Sequence, residues 1–195
     1  PGAALLFSLA VAMLSSDDRI AAATLACGVG AAEALRAAGA PVTLKWPNDM
    51  LLEGRKLGGV LCELATDAAG GRTVVVGVGV NRHAGAAMRA SIGRPVAALD
   101  ETPAIATPRE ALIASMADAI LDALVLFDRQ GFVPLQPRFM ALFAQRDATV
   151  DLLELGVRVA RGRALGVDGQ GRLLIETPQG TRAFSSGELV SVGAG

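Results

Sequence analysis

Lys45 and Lys56 are the only lysines in this chain; every other Lys/Arg position is arginine. Against an arginine background, a lysine marks a place where a compact point charge is wanted rather than a planar fork. Both stand among polar and glycine residues: Lys45-Trp46-Pro47-Asn48-Asp49 and Gly54-Arg55-Lys56-Leu57-Gly58-Gly59-Val60. The first segment presents an amide and a carboxylate beside a cation. Asp49 suits Mg²⁺, a hard ion that takes carboxylate and water oxygens in an octahedron. Lys56, at the mouth of a glycine-lined run, can reach a carboxylate, a phosphate, or both. If a carboxylate attacks the α-phosphate of ATP, charge builds on the phosphoryl oxygens. A lysine there neutralises that charge and holds the attacking group in line.

A third segment, Thr73 to Asn81, completes the set. Read at period two, Val74, Val76, Val78 and Val80 share one face, and Val75, Gly77, Gly79 and Asn81 share the other. The second face is nearly bare backbone, as where a ligand approaches closely. It ends in an amide able to donate and accept against a purine edge. Each segment also has a plain reading: a Pro-Asn-Asp turn with a solvated lysine, a surface turn lysine, a glycine-softened strand. Their conjunction fits nucleotide-dependent activation of a carboxylic acid.

Other reactive side chains read as structural. His83, the lone histidine, is a loop residue. Cys62 belongs to the core, since no base is spaced to activate it. Trp46 packs beneath its loop, with stacking on a base as the alternative. Arg158, Arg161, Arg163 and Arg172 either meet an acidic partner or form a solvated strand face.

These residues need elements to hold them. Ala3 to Met13 is a continuous apolar run and predicts a strand buried on both faces. Ser15, Ser16, Asp17 and Asp18 supply a helix cap and an acidic first turn for a helix from about Arg19 to Ala38, ended by Gly39. Strands follow at Val42–Trp46, Met50–Glu53, Lys56–Ala65 and Thr73–Asn81, with a tight turn at Gly54-Arg55. Such short connections suit an antiparallel sheet with helices on one face. Thr107-Pro108-Arg109-Glu110 predicts a capping box with proline at the first helical position, opening a long helix to about Asp128. A shorter one covers Pro134 to Phe143. Beyond Thr149, β-like runs at Val157–Val167, Arg172–Glu176 and Glu188–Val192 alternate with turns at Asp168-Gly169 and Gln179-Gly180. The expected fold is α+β: a mixed, mainly antiparallel sheet flanked by helices over residues 1–146, then a small SH3-like β-barrel over 147–195.

Composition narrows the function further. The chain has 195 residues, 52% of them hydrophobic and only 4% aromatic, so an Ala/Val/Leu core is expected. A net charge of −1 without a basic stripe argues against nucleic acid as a partner. Cys27 and Cys62 lie among apolar residues and read as reduced packing thiols in a cytoplasmic protein. Pro1 to Leu14 is too short to span a bilayer and lacks a basic leader, so no membrane is expected.

Lys45-Trp46-Pro47-Asn48-Asp49, Arg55-Lys56-Leu57-Gly58-Gly59-Val60-Leu61-Cys62-Glu63 and Val76-Gly77-Val78-Gly79-Val80-Asn81 resemble, in order and spacing, the central motifs of the biotin–protein ligases. The resemblance extends to Leu5-Leu6-Phe7-Ser8-Leu9 and to Gly187-Glu188-Leu189 near the end. It implies a two-step reaction: biotin and ATP with Mg²⁺ give biotinyl-5′-adenylate and pyrophosphate, then the biotinyl group passes to a lysine of a carboxylase's biotin carboxyl carrier domain, releasing AMP. By this likeness Lys56 contacts the biotin carboxylate and the α-phosphate. Gly59, Val60 and Gly77 line the biotin pocket, Asn81 reads adenine, and Asp49 belongs to the metal–phosphate site. Lys45 and Asn48 fall on the phosphate and ribose side. The likeness allows a homodimer. It also implies an arginine- and glycine-rich loop and a Ser/Thr-Asn segment upstream of Pro1, covering the biotin site, so this chain is expected to hold only part of that site. A lipoate or octanoate ligase or transferase, and a non-catalytic module that binds biotin or the carrier, are the competing readings.

Overall fold

The structure, a computed structural model, describes residues 3–13, 20–85 and 96–192. The first sheet contains β1 (Ala4–Met13), β2 (Val42–Lys45), β3 (Asp49–Leu52), β4 (Arg55–Thr66) and β5 (Arg72–Asn81) in the spatial order β1-β5-β4-β3-β2. All its ladders are antiparallel. Helices α1 (Ile20–Ala37), α2 (Arg109–Gln130) and α3 (Gln136–Leu142) follow in chain order. The second sheet is β6 (Thr149–Glu154), β7 (Val157–Val167), β8 (Leu173–Thr177), β9 (Gly180–Phe184) and β10 (Glu188–Ser191), ordered β10-β6-β7-β8-β9 and likewise antiparallel. The α+β arrangement is as expected. The predicted cap at Ser15 to Asp18 lies outside the described residues.

Alternation builds the first sheet. Val74, Val76, Val78 and Val80 are all buried, as predicted, and face the helices together with Val60 and Cys62 of β4. Helix α1 is apolar and buried over most of its length, with the sheet on one side and α2 on the other and its charged residues, Glu33 and Arg36, near its C-terminal end. It is long and apolar enough to cross a membrane by length and composition, and it is a core helix here. Glycine in a helix interior costs about 1 kcal/mol against alanine, and Gly30 shows what offsets that cost. A Cβ there would fall 2.4 Å from the Ala119 carbonyl oxygen of α2, so the two backbones touch only because the side chain is missing. Gly39 closes α1 with φ +100°.

Four local expectations are corrected. β1 is not buried on both faces: it is an edge strand, helices cover one side only, and Leu6, Ser8, Ala10 and Ala12 are exposed on the other. An apolar run cannot distinguish these cases. The β3–β4 turn is Glu53-Gly54, with φ of 50° and 74°, the paired positive values of a type I′ hairpin; it was expected one residue later. Pro108 is itself the cap position of α2, no side chain bonds the first turn, and no capping box forms. Finally, β6 and β9 are strands that the β-like runs did not single out.

The second sheet joins the first through backbone acceptors. The Trp46 indole, 1% exposed, donates to the Gly171 carbonyl at 3.2 Å, and the Gln136 side-chain amide donates to the Val167 carbonyl at 2.7 Å. Trp46 therefore packs rather than stacks on a ligand.

Candidate functional site

The face of the first sheet away from the helices is where the predicted residues gather, and a β-bulge puts them there. Residues 56 and 59 of a regular strand point to opposite faces. In β4, Met50 pairs with Gly58 while Leu51 pairs with Lys56, so Leu57 is the extra residue. The bulge buries Leu57 completely and brings Lys56 round to the same face as Gly59 and Leu61. Asp49 sits opposite both Lys45 and Gly59 in the ladders. Its carboxylate accepts a hydrogen bond from the Lys56 ammonium. Their side chains are 15% and 32% exposed, open to a ligand from one side.

Three cavities meet at Lys56. The largest, about 490 Å³, is lined by Leu6, Ser8, Asn48, Asp49, Leu61 and Gly77, with backbone from Gly59, Val60 and Gly79. The second, about 320 Å³, holds Lys45 and Asp49 and reaches Gln145, Val190 and Ser191 of the C-terminal part. The third, about 270 Å³, is lined by Ala4, Gly58, Gly79, Asn81 and Val96. Lys56 lines all three, and Asp49 the first two. A cation common to an apolar slot, a lysine-flanked slot and an amide-ended slot can bridge three chemically different parts of one ligand.

The glycines here do two different jobs. A Cβ on Gly58 would lie 2.2 Å from the Gly79 carbonyl oxygen, so Gly58 is required for strand-to-strand approach. A Cβ on Gly77 would meet only the Leu61 carbonyl oxygen, at 3.9 Å. Packing does not demand a glycine at position 77; a flat cavity floor does. Gly59 is intermediate, 3.0 Å from the Asn48 carbonyl oxygen, which already accepts the Val60 N–H.

The wall of the third cavity is tied to the sheet. The Asn81 amide donates to the Ala97 carbonyl at 3.0 Å, and the Ala97 N–H donates to the Lys56 carbonyl at 2.9 Å. Arg55 pairs with Glu101 at 2.6 Å and with Glu53 at 3.2 Å, and hydrogen bonding to Glu101 raises its pKa further above the ordinary arginine value. One Asn81 donor is thus used internally, which leaves its carbonyl oxygen for a ligand.

All eight predicted site residues therefore border one connected region, with two adjustments. Asn48 lines the apolar cavity rather than the Lys45 cavity. Val60 sends its side chain into the core and offers only backbone. Leu6, Ser8, Leu61, Gln145 and Ser191 were missed. Leu61 carried a signal: it is an apolar residue on the outward phase of a strand whose inward phase was already filled. Gln145 and Ser191 carried none: Gln145 is brought near Lys45 by the pairing of Phe143 and Ala144 with Leu44, and Ser191 by the docking of the second sheet. His83 stands 3.4 Å from Asp100, apart from the cavities. Among the described residues no group of three metal-binding side chains forms.

Residues 1–81 match the biotin/lipoate A/B protein ligase family, and residues 150–190 match the biotin protein ligase C-terminal domain. The chain is 32% identical over 189 residues to the biotin–[acetyl-CoA-carboxylase] ligase of Paracoccus denitrificans, covering 93% of this chain and 74% of that protein. It is 32% identical over 167 residues to the bifunctional ligase/repressor BirA of Escherichia coli, covering 85% of this chain and 51% of that one. The chain thus spans about half the length of the bifunctional relatives it matches. Among solved structures, the biotin protein ligase of Aquifex aeolicus in complex with biotin and ATP superposes with a TM-score of 0.82 at 25% identity, over 96% of this chain and 78% of that one.

Proposed function

Because the chain belongs to the biotin protein ligase family, we propose that it activates biotin with ATP to biotinyl-5′-adenylate and then transfers the biotinyl group to a lysine of a biotin carboxyl carrier domain. The observation that carries this reading is the position of Lys56 at the junction of three cavities, hydrogen-bonded to Asp49. In this reading the ring system of biotin lies over Gly77 in the apolar cavity, with Gly59 and the Val60 backbone beside it and Asn48 at its border. Adenine reaches Asn81 in the third cavity, and the outer phosphates lie toward Lys45 in the second.

Each residue then has a physical task. A biotin carboxylate oxygen attacks the α-phosphorus as the bond to pyrophosphate breaks. Lys56 sits between the two anions, lowers their repulsion and neutralises charge on the phosphoryl oxygens as it develops. Asp49 holds that ammonium in place before substrate arrives. In the second step the amine of the acceptor lysine attacks the acyl carbon and AMP leaves.

The donor set fits Mg²⁺ only as a substrate-borne ion. Asp49 is a single carboxylate, too few ligands for a protein cage, and Mg²⁺ usually keeps several waters and binds through one or two carboxylates plus substrate phosphates. Asp49 would hold such an ion, which supplies charge neutralisation at the leaving pyrophosphate. We also assign residues 1–146 to the ligase body and 147–195 to an appended barrel. A cytoplasmic location accords with reduced cysteines and a cytosolic nucleotide.

The test is release of pyrophosphate from ATP, measured with biotin, with lipoate and with neither. Biotin-dependent release supports the reading. Release with lipoate alone, or saturable biotin binding with no release, overturns it.

A further inference from the structure

Cys27 of α1 and Cys62 of β4 stand 35 residues apart in sequence, yet their sulfurs lie 3.7 Å apart in the core. They are the only cysteines in the chain, and the proposed ligase chemistry uses neither. We propose that they are an oxidisable pair that closes to an internal disulfide when the folded protein meets a hydroperoxide, tying α1 to the strand that floors the candidate site.

Distance and access support this. The sulfurs need to approach by about 1.6 Å to reach the bonded separation of about 2.05 Å. Both thiols are buried, and Cys62, at 6% exposure against 0% for Cys27, lies nearer to solvent, so a small peroxide that enters the core meets it first. The thiols are also unequal. The hydrogen-bonded contact with Cys27, aided by Thr24, holds Cys62 below the ordinary thiol range, whereas the same contact and burial push Cys27 well above it. The more easily ionised sulfur is thus the more reachable one, as the order of events requires.

The chemistry balances in two steps. The Cys62 thiolate attacks a peroxide oxygen; an S–O bond forms, the O–O bond breaks, and the departing oxygen takes a proton to leave as water or an alcohol. Cys62 is now a sulfenic acid. The Cys27 sulfur then attacks the Cys62 sulfur; the S–S bond forms, the S–O bond breaks, and the hydroxyl leaves as water with the Cys27 proton. Two thiols lose two electrons and one hydroperoxide gains them.

The cross-link would act on the site through β4. Val60 and Leu61, immediately before Cys62, border the apolar cavity, and α1 is seated on α2 at Gly30 with no intervening side chain. The proposal stands independently of the ligase reading.

The experiment treats the folded full chain with hydrogen peroxide, blocks remaining thiols with N-ethylmaleimide after unfolding, and reads intact and tryptic masses. The expected product has lost two hydrogens, takes up no maleimide, joins the peptides Ile20–Arg36 and Leu57–Arg72, and reverts with dithiothreitol. In Cys27→Ser, Cys62 is expected to stop as a sulfenic acid that dimedone traps. Two free thiols after the methionines have oxidised overturn the proposal. So does sulfinic acid at Cys62 with Cys27 still free, or a link between two chains. If the variant does not fold, the wild-type masses decide alone.

Discussion

The two sheets carry their charges in opposite ways. In the second sheet Arg158, Arg161, Arg163 and Arg172 are matched by carboxylates at the surface, while Arg182 lies over the Phe184 ring. Arg161 grips Asp151 at 2.7 and 2.9 Å, Arg163 reaches Glu176 and Asp147 at 3.0 Å, and Arg172 reaches Asp168 at 2.7 Å. In the first sheet Lys56 has one carboxylate at the meeting point of three cavities, and among the described residues Lys45 has none. Of the two readings open for Arg158, Arg161, Arg163 and Arg172, an acidic partner or a solvated strand face, these exposed pairs within the sheet favour the second. Charge density does not mark a binding site. Charge beside unfilled space does.

Removing the central charge tests this contrast most severely. Lys56→Ala is expected to lower biotin-dependent pyrophosphate release by about 10²–10³-fold, the usual loss when one charge-stabilising group is removed. The variant should still fold, since the pair opens onto the cavities and Asp49 stays within reach of water when the ammonium is removed. Wild-type turnover in that variant would erase the distinction between the sheets. Within the first sheet, the glycines sharpen it. Gly77→Val is expected to fold, because little stands within reach of a side chain there, and to weaken biotin binding at least about tenfold, measured by calorimetry, as the valine fills the cavity in which the proposed site seats the apolar part of biotin. Gly58→Ala should instead lower thermal stability by about 1–3 kcal/mol through overpacking against Gly79. If both variants lose stability equally, the open floor at Gly77 is wrong.

The sequence revealed more of the site than of its surroundings. Period-two alternation placed Val74, Val76, Val78 and Val80 inward and Val75, Gly77, Gly79 and Asn81 outward, because a strand's faces follow directly from spacing. The motifs around Lys45 and Lys56 converged because β2 and β4 both pair with β3, one on each side. What stayed hidden depends on tertiary context. The bulge at Leu57 was invisible, though without it Lys56 would point into the core. The exposed side of β1 was invisible, since whether helices cover one face or two is not written in an apolar run. Gln145 joins the Lys45 cavity through the bridge of Phe143 to Leu44, and Ser191 through the docking of the second sheet, contacts no local pattern encodes.

Asn81→Ala should have a smaller effect than the glycine variants. It removes the amide that borders the third cavity and the bond to Ala97. Losing about one hydrogen bond's net value, near 1 kcal/mol, predicts a rise of roughly five- to tenfold in KM for ATP with KM for biotin unchanged. Equal changes in both constants would mean that Asn81 supports the whole site rather than the adenine end.

The smallest effect is expected in the second sheet. Arg161→Ala breaks the two-pronged bond to Asp151 but leaves every cavity intact, so pyrophosphate release should be unchanged. Its signature is instead a pH dependence of stability. Hydrogen bonding to Arg161, with Arg158 assisting, holds Asp151 below the ordinary carboxylate range. A carboxylate depressed in the folded state contributes stability that is fully present above its unfolded pKa and is lost as pH falls through its folded one. Melting curves of wild type and Arg161→Ala should therefore differ at neutral pH and converge in acid, once Asp151 is protonated in both. Curves that stay parallel down to that acid limit would show that Arg161 stabilises by packing its stem rather than by charge. A loss of turnover at neutral pH would bring the second sheet's charges back into the site.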